Sequence, residues 1–168
     1  KREFEEEWAK TSVESLLETN KYPRTKEEFA CLEGFLPKNG LILEAGCGLG
    51  PKLIYFDNKN YKIWGIDYIF PALQQVKNYN RELILAQSDV QELPFPASTF
   101  DAYLSYGVVA HFPQGAQDTI TEAYRVLKTG GLICITVPTI NLVTNFVYDE
   151  NNFLHKLRRN NLVRKLLG

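Results

Sequence analysis

"LILEAGCGLG", Leu41 to Gly50, decides the fold. An apolar run of strand length passes through an acid, Glu44, and breaks into Gly46, Gly48 and Gly50. Glycine costs conformational entropy and offers nothing to pack. Three of them at alternate positions imply that something comes close to the backbone there. Pro51 follows at once, and proline suits the first turn of a helix. A buried strand, a bare bend and a helix open an α/β unit.

Outward from this stretch the same alternation repeats. "YKIWGID" reads as a second strand ending at Asp67, and Pro71 to Asn78 as a second helix entered through proline. "ELILAQ", "FDAYLSY" and "LICITV" read as three further strands. Between the last two, Gln114 to Lys128 carries Ile120, Ala123, Tyr124 and Leu127 at helical period and is expected to end at "TGG". Upstream, residues 3–18 and 25–36 read as helices, the second capped by Thr25 with Glu28 three residues on. Strands apolar on both faces, joined by short connections to helices, predict a doubly wound α/β fold with a parallel sheet covered on both sides.

Bulk properties agree with one ordinary globular domain. The 168 residues suffice for a core, and 45% hydrophobic with 23% charged residues is an average balance. The formal charge of −1 recruits neither nucleic acid nor an anionic membrane. "KREFEEEWAK" does not read as a signal peptide, and no apolar run approaches the length of a membrane span, so stable membrane insertion is not expected. Cys31, Cys47 and Cys134 lack metal-type spacing and read as reduced thiols of a cytoplasmic protein. No metal site is expected.

In doubly wound sheets, ligands bind beyond the carboxyl ends of the strands. Those ends carry Glu44 with the glycines, Asp67, Asp89, and Ser105, Tyr106 and Gly107, with His111 shortly after. An acid after a strand often only caps the next helix, and turns use glycine freely. Three acids and a glycine loop on one rim point instead to a ligand. The dinucleotide fingerprint is G-x-G-x-x-G, whereas this loop is G-x-G-x-G with an acid two residues before it. A ligand with an ammonium group and a ribose but no phosphate suits it better than a dinucleotide.

These residues resemble the class I S-adenosylmethionine-dependent methyltransferases, and within them the small-molecule methyltransferase group. "LEAGCGLG" is similar to that family's cofactor loop and "WGIDY" to its ribose-binding stretch. "AQSDVQELPFPASTFDAYLSYGVVAHF" and "EAYRVLKTGGLICITVP" are similar to the segments that follow. The ordered set covers about residues 35–138. Ala110 stands where the family often has an acid, and Thr129 where proline is usual.

The resemblance implies a Rossmann-like sheet of order 3-2-1-4-5. It divides the chain into an N-terminal helical cap (1–36), a cofactor-binding core (37–138) and a C-terminal helical segment (139–168). No strand pattern follows Val137, so the family's last two strands are expected to be missing. The resemblance also implies S-adenosylmethionine as cofactor, S-adenosylhomocysteine as product and a small-molecule acceptor methylated by direct displacement. Glu44, Ala45, Gly46, Cys47, Gly48 and Gly50 would lie against the cofactor's methionine portion. Asp67, with Tyr68 beside it, would accept from the ribose hydroxyls, and Asp89 from the adenine amino group, with Val90 offering its N–H. Ser105, Tyr106 and Gly107 would flank the transferable methyl.

His111 is the one rim residue whose ordinary pKa suits a general base. The plainer alternative is a half-exposed histidine in a turn. Trp8, Tyr22, Arg24 and Phe112 are read as packing or surface residues rather than cofactor contacts. The basic stretch "FLHKLRRNNLVRKLLG" is read as a solvated helix, with docking on an anionic lipid surface or on a partner as its alternative. Two rival functions remain: a cofactor-binding module without turnover, and a nicotinamide-dependent oxidoreductase.

Overall fold

Five parallel strands form one sheet in the order β3-β2-β1-β4-β5 in a computed structural model that describes Glu6 and residues 8–137. The strands are β1 (Leu41–Ala45), β2 (Lys62–Asp67), β3 (Ile84–Gln87), β4 (Phe100–Tyr106) and β5 (Leu127–Thr136). The helices are α1 (Val13–Thr19), α2 (Pro23–Phe35), α3 (Pro51–Asp57), α4 (Phe70–Tyr79) and α5 (Gln117–Val126), with a 3-10 turn at Val109–His111. The doubly wound fold and its strand order are as expected. The expected C-terminal segment, 139–168, lies outside the described residues.

Alternation along β1 builds two cores. Ile42 faces Leu53, Ile54 and Phe56 of α3 and Ala72 and Val76 of α4. Leu43 and Ala45 face the other way, with Phe100, Tyr103 and, from α5, Ala123 and Val126. Each completely buried Leu or Ile of this kind contributes on the order of 1.5–3 kcal/mol. Val13 of α1 and Leu32 of α2 pack into the first core, which fixes the N-terminal helices to the sheet.

Element boundaries depart from expectation where a local cap or bulge intervenes. The helix expected over 3–18 is broken at Thr11 and Ser12, and the Ser12 hydroxyl accepts from Ser15 N–H at 3.2 Å to start α1. Serine at an N-cap offers the backbone a better acceptor than helix continuation does. Helix α2 starts at Pro23, not Thr25, with Pro at its first turn, where no N–H is needed. Helix α5 ends at Val126, and "TGG" does not terminate it. Phe100 pairs with Leu127 and Ala102 with Leu132, so the four residues Lys128–Gly131 stand opposite Asp101 alone, three more than an even register needs, and they bulge within β5. Lys128 Nζ holds the Asp101 carboxylate at 2.9 Å across this irregularity.

The strand order reverses between β1 and β4, which leaves a crevice beyond their carboxyl ends.

Candidate functional site

Asp67, the last residue of β2, organises the loop after β1. Its Oδ2 accepts from Gly48 N–H at 2.7 Å, and its Oδ1 accepts from Ile69 N–H at 2.8 Å. The Ile66 carbonyl accepts from Gly46 N–H (2.8 Å) and Cys47 N–H (2.9 Å), and Gly50 N–H donates to the Cys47 carbonyl at 2.8 Å. Four N–H groups of the glycine loop are therefore committed within the chain. A phosphate-binding loop needs such groups aimed at the ligand, so this one is built for something else.

The glycines answer a backbone demand. Gly46 (φ +79°) and Gly48 (φ +55°) lie in the left-handed region, which side chains disfavour. They are also approached from within the chain. A Cβ on Gly46 would stand 2.3 Å from Val108 Cγ2, and one on Gly48 would stand 3.0 Å from Trp8 Cζ2. Room for a ligand is thus not the only reason the loop is bare.

A cavity of about 370 Å3 opens beyond the strand ends, within the range of small-molecule sites. Gly46 after β1, Asp67 at the end of β2 with Tyr68 and Ile69 following it, Asp89 and Val90 after β3, and Tyr106, Gly107 and Val108 at the end of β4 form its walls. His111 and Phe112 close one side, and Trp8 reaches in from the N-terminal segment. Asp89 Oδ1 accepts from Gln91 N–H at 2.9 Å, which orients this exposed carboxylate on the rim. Among the described residues, no lysine or arginine lines it.

Eight of the candidate residues meet at this cavity: Gly46, Asp67, Tyr68, Asp89, Val90, Tyr106, Gly107 and His111. Glu44, Ala45, Cys47, Gly48, Gly50 and Ser105 are buried and not among its lining residues. Trp8 and Phe112, read from the sequence as ordinary packing residues, do line it, whereas Tyr22 is 61% exposed and does not.

Glu44 is the most perturbed acid of the region. It is 4% exposed, and its Oε2 lacks a hydrogen-bond partner among the described residues. Burial pushes its pKa up to about 7, against the nearby Lys52 ammonium, which pulls it down. Lys52 Nζ also stands 3.6 Å from Glu28 Oε1 and 4.0 Å from the centre of the Tyr106 ring. Burial likewise pushes the Cys47 thiol well up, so it stays protonated. Tyr106, on the cavity wall, has its hydroxyl 3.6 Å from Cys134 Sγ.

A ligand enclosed here meets two carboxylates, aromatic and aliphatic walls and bare backbone at Gly46 and Gly107. A Cβ on Gly107 would find no atom within 4 Å. Such a donor set fits a nucleoside with a cationic substituent and opposes a phosphorylated one.

Known proteins resemble this chain in sequence and fold. The chain is 33% identical to the chloroplastic 2-methyl-6-phytyl-1,4-hydroquinone methyltransferase of Spinacia oleracea over 105 residues, 60% of this chain and 30% of that one. It is 27% identical to the malonyl-[acyl-carrier protein] O-methyltransferase of Salmonella typhimurium over 95 residues, 56% of this chain and 38% of that one. The chain thus spans well under half the length of these curated relatives. The YcgJ protein of Bacillus subtilis has the same fold, with a TM-score of 0.61 and 20% identity, covering 79% of this chain and 59% of that one. A family model described as a methyltransferase domain matches residues 43–135, more than half of the chain. With that match, the strand order and the cavity at its switch point, the chain belongs to the class I S-adenosylmethionine-dependent methyltransferase family.

Proposed function

We propose that the protein is an S-adenosylmethionine-dependent methyltransferase acting on a small-molecule acceptor, with the cofactor in the cavity beyond β1, β2 and β4. The observation that carries this reading is the polar lining: two carboxylates, no lysine or arginine among the described residues, and glycine-loop N–H groups already committed. It favours a cationic adenosyl ligand over a nicotinamide dinucleotide, whose pyrophosphate would find no partner here. Residues 37–138 form the cofactor-binding core in this reading, with 1–36 as a cap over it.

Bound S-adenosylmethionine would supply an electrophilic methyl group on a sulfonium that leaves as a neutral thioether. The chain's own residues do the rest. Asp67 holds the glycine loop through Oδ2 and has lone pairs left for the ribose hydroxyls. Asp89 accepts from the adenine amino group beside the Val90 backbone. Gly46 and Gly107 let the amino-acid portion lie against backbone, and Tyr106 flanks it. Glu44, Ala45, Cys47, Gly48, Gly50 and Ser105 act from behind the cavity wall, as support rather than contact. Trp8, Val108 and Phe112 exclude water, and alignment in a dry site supplies most of the acceleration. His111 on the cavity wall is the candidate to receive a proton at its imidazole from an oxygen or nitrogen acceptor.

Names of the relatives support a small organic acceptor without choosing among hydroquinone rings and acyl carboxylates. Among the described residues, no helix is long and apolar enough to cross a membrane. We assign the protein to the cytoplasm on its three free thiols. Isothermal titration with S-adenosylhomocysteine and with NAD tests the cofactor assignment. Micromolar binding of the first and none of the second is expected, and the reverse overturns it. A methyl-release assay over a panel of phenols, amines and carboxylates then separates an enzyme from a cofactor-binding module.

A further inference from the structure

Trp8 lies on the cavity and on the glycine loop at once. Its indole lines the cavity and packs so closely over Gly48 that a methyl group there would stand 3.0 Å from Cζ2 and 3.4 Å from Cε2. Gly48 N–H is in turn held by the Asp67 carboxylate, which lines the same cavity. The Trp8 carbonyl accepts from Gln75 Nε2 of α4 at 3.2 Å, which anchors the backbone behind the ring. An indole seated this way buries a large apolar face and keeps one edge toward the ligand space.

We infer that Trp8 is an affinity-determining wall of the ligand site, acting on the end of the ligand that lies over the glycine loop and not on the nucleoside end. This rests on the proposed function for the identity of the ligand. The division between the ends rests on the sheet. Gly48 follows β1 and Asp89 follows β3, two strand positions away in the order β3-β2-β1. Neighbouring strands lie about 4.8 Å apart, so roughly 10 Å separates the two, more than one indole spans. Removing the ring opens the loop end to water and leaves the Asp89 end unchanged.

The 168-residue chain and its Trp8→Ala variant are titrated with S-adenosylhomocysteine and with 5′-methylthioadenosine, which has the nucleoside end but no amino-acid tail. Loss of fivefold or more in affinity for the first, with less than twofold for the second, is expected. Equal losses for both, or no loss for either, overturn the inference and leave the proposed function standing. Failure of the unaltered chain to bind S-adenosylhomocysteine overturns both. Trp8→Phe keeps an apolar ring over Gly48 and is expected to recover most of the affinity, so a merely misfolded Ala variant is recognised. Trp8 and Trp64 are the two tryptophans of the chain, so a Trp64→Phe protein reports Trp8 fluorescence alone. Its emission is expected to change saturably with S-adenosylhomocysteine, at the calorimetric Kd. Unchanged emission at full occupancy overturns the inference.

Discussion

Replacing Asp67 by alanine tests whether one carboxylate organises the site. The side chain is 8% exposed and accepts two backbone hydrogen bonds, from Gly48 at 2.7 Å and Ile69 at 2.8 Å. Hydrogen bonds to a charged group contribute about 1.5–3 kcal/mol each, so removing both costs roughly 3–6 kcal/mol. Water entering from the cavity satisfies part of the freed N–H potential, which favours the lower end, about 3 kcal/mol. At about 2–4 °C per kcal/mol for a chain of this size, the melting temperature falls by roughly 6–12 °C. Asp67→Asn keeps one acceptor oxygen and turns an NH2 group toward the other N–H, so it recovers at most half of the loss. Thermal melts by circular dichroism, with calorimetric titration of S-adenosylhomocysteine on the same samples, read both effects. If Asp67→Ala melts within about 2 °C of the unaltered protein, the carboxylate does not hold the loop and the account of the site is wrong.

Three further outcomes follow from the same geometry. Glu44 has its folded pKa raised from 4.5 to about 7, so the folded state binds more protons than the unfolded state between those values. Its contribution to stability is complete below about pH 4.5 and is lost as pH rises to about 7, a change of about 3 kcal/mol. Glu44→Gln is therefore expected to gain stability relative to the unaltered protein between pH 5 and pH 8 in paired urea titrations, and a pH-independent difference counts against a neutral buried acid. Gly107→Ala meets open space at φ +70° and is expected to cost about 1–2 kcal/mol of strain. Gly46→Ala also drives a Cβ onto Val108 and is expected to cost about 1–3 kcal/mol more; equal melting temperatures would contradict the packing described. Arg125 donates to the Phe95 and Leu93 carbonyls at 2.7 and 3.0 Å, while Glu122 accepts from Leu93 N–H at 2.7 Å. Arg125→Ala is expected to speed amide exchange at Leu93 and Phe95 and to lower the melting temperature by roughly 2–8 °C, for about 1–2 kcal/mol lost. Unaltered protection at Leu93 would refute the tether.

Much of the fold was legible because it rests on local rules. Leu41–Ala45 and Phe100–Tyr106 are strands with the limits their apolar runs indicate, and Pro51 opens a helix as proline should. The departures came from local competition: Ser12 capping a new helix, and Lys128–Gly131 looping out of a strand that composition reads as a turn. At the site, Asp67 and Asp89 reach the cavity because residues at or just past a strand end face the crevice. Glu44 lies one residue inside the end of β1, on the face covered by α3, and it is buried because both faces of this central strand are covered. Trp8 and Gly48 are forty positions apart in sequence, and their contact depends on how the N-terminal segment docks. Periodicity carries no information of that kind. The same holds for Val108 against Gly46: the turn chemistry was readable, the neighbour was not.

The absence of lysine and arginine among the described residues that line the cavity has a consequence for selection among cellular nucleotides. ATP and NAD share the adenosine unit that the site would accept, so shape alone admits them. A phosphate brought to about 6 Å of either Asp67 or Asp89 meets roughly 3 kcal/mol of repulsion per charge pair at an effective dielectric constant near 20, and no lysine or arginine among the described lining residues offsets it. On the proposed reading, phosphorylated nucleotides are therefore expected to compete only weakly with an unphosphorylated nucleoside for this site.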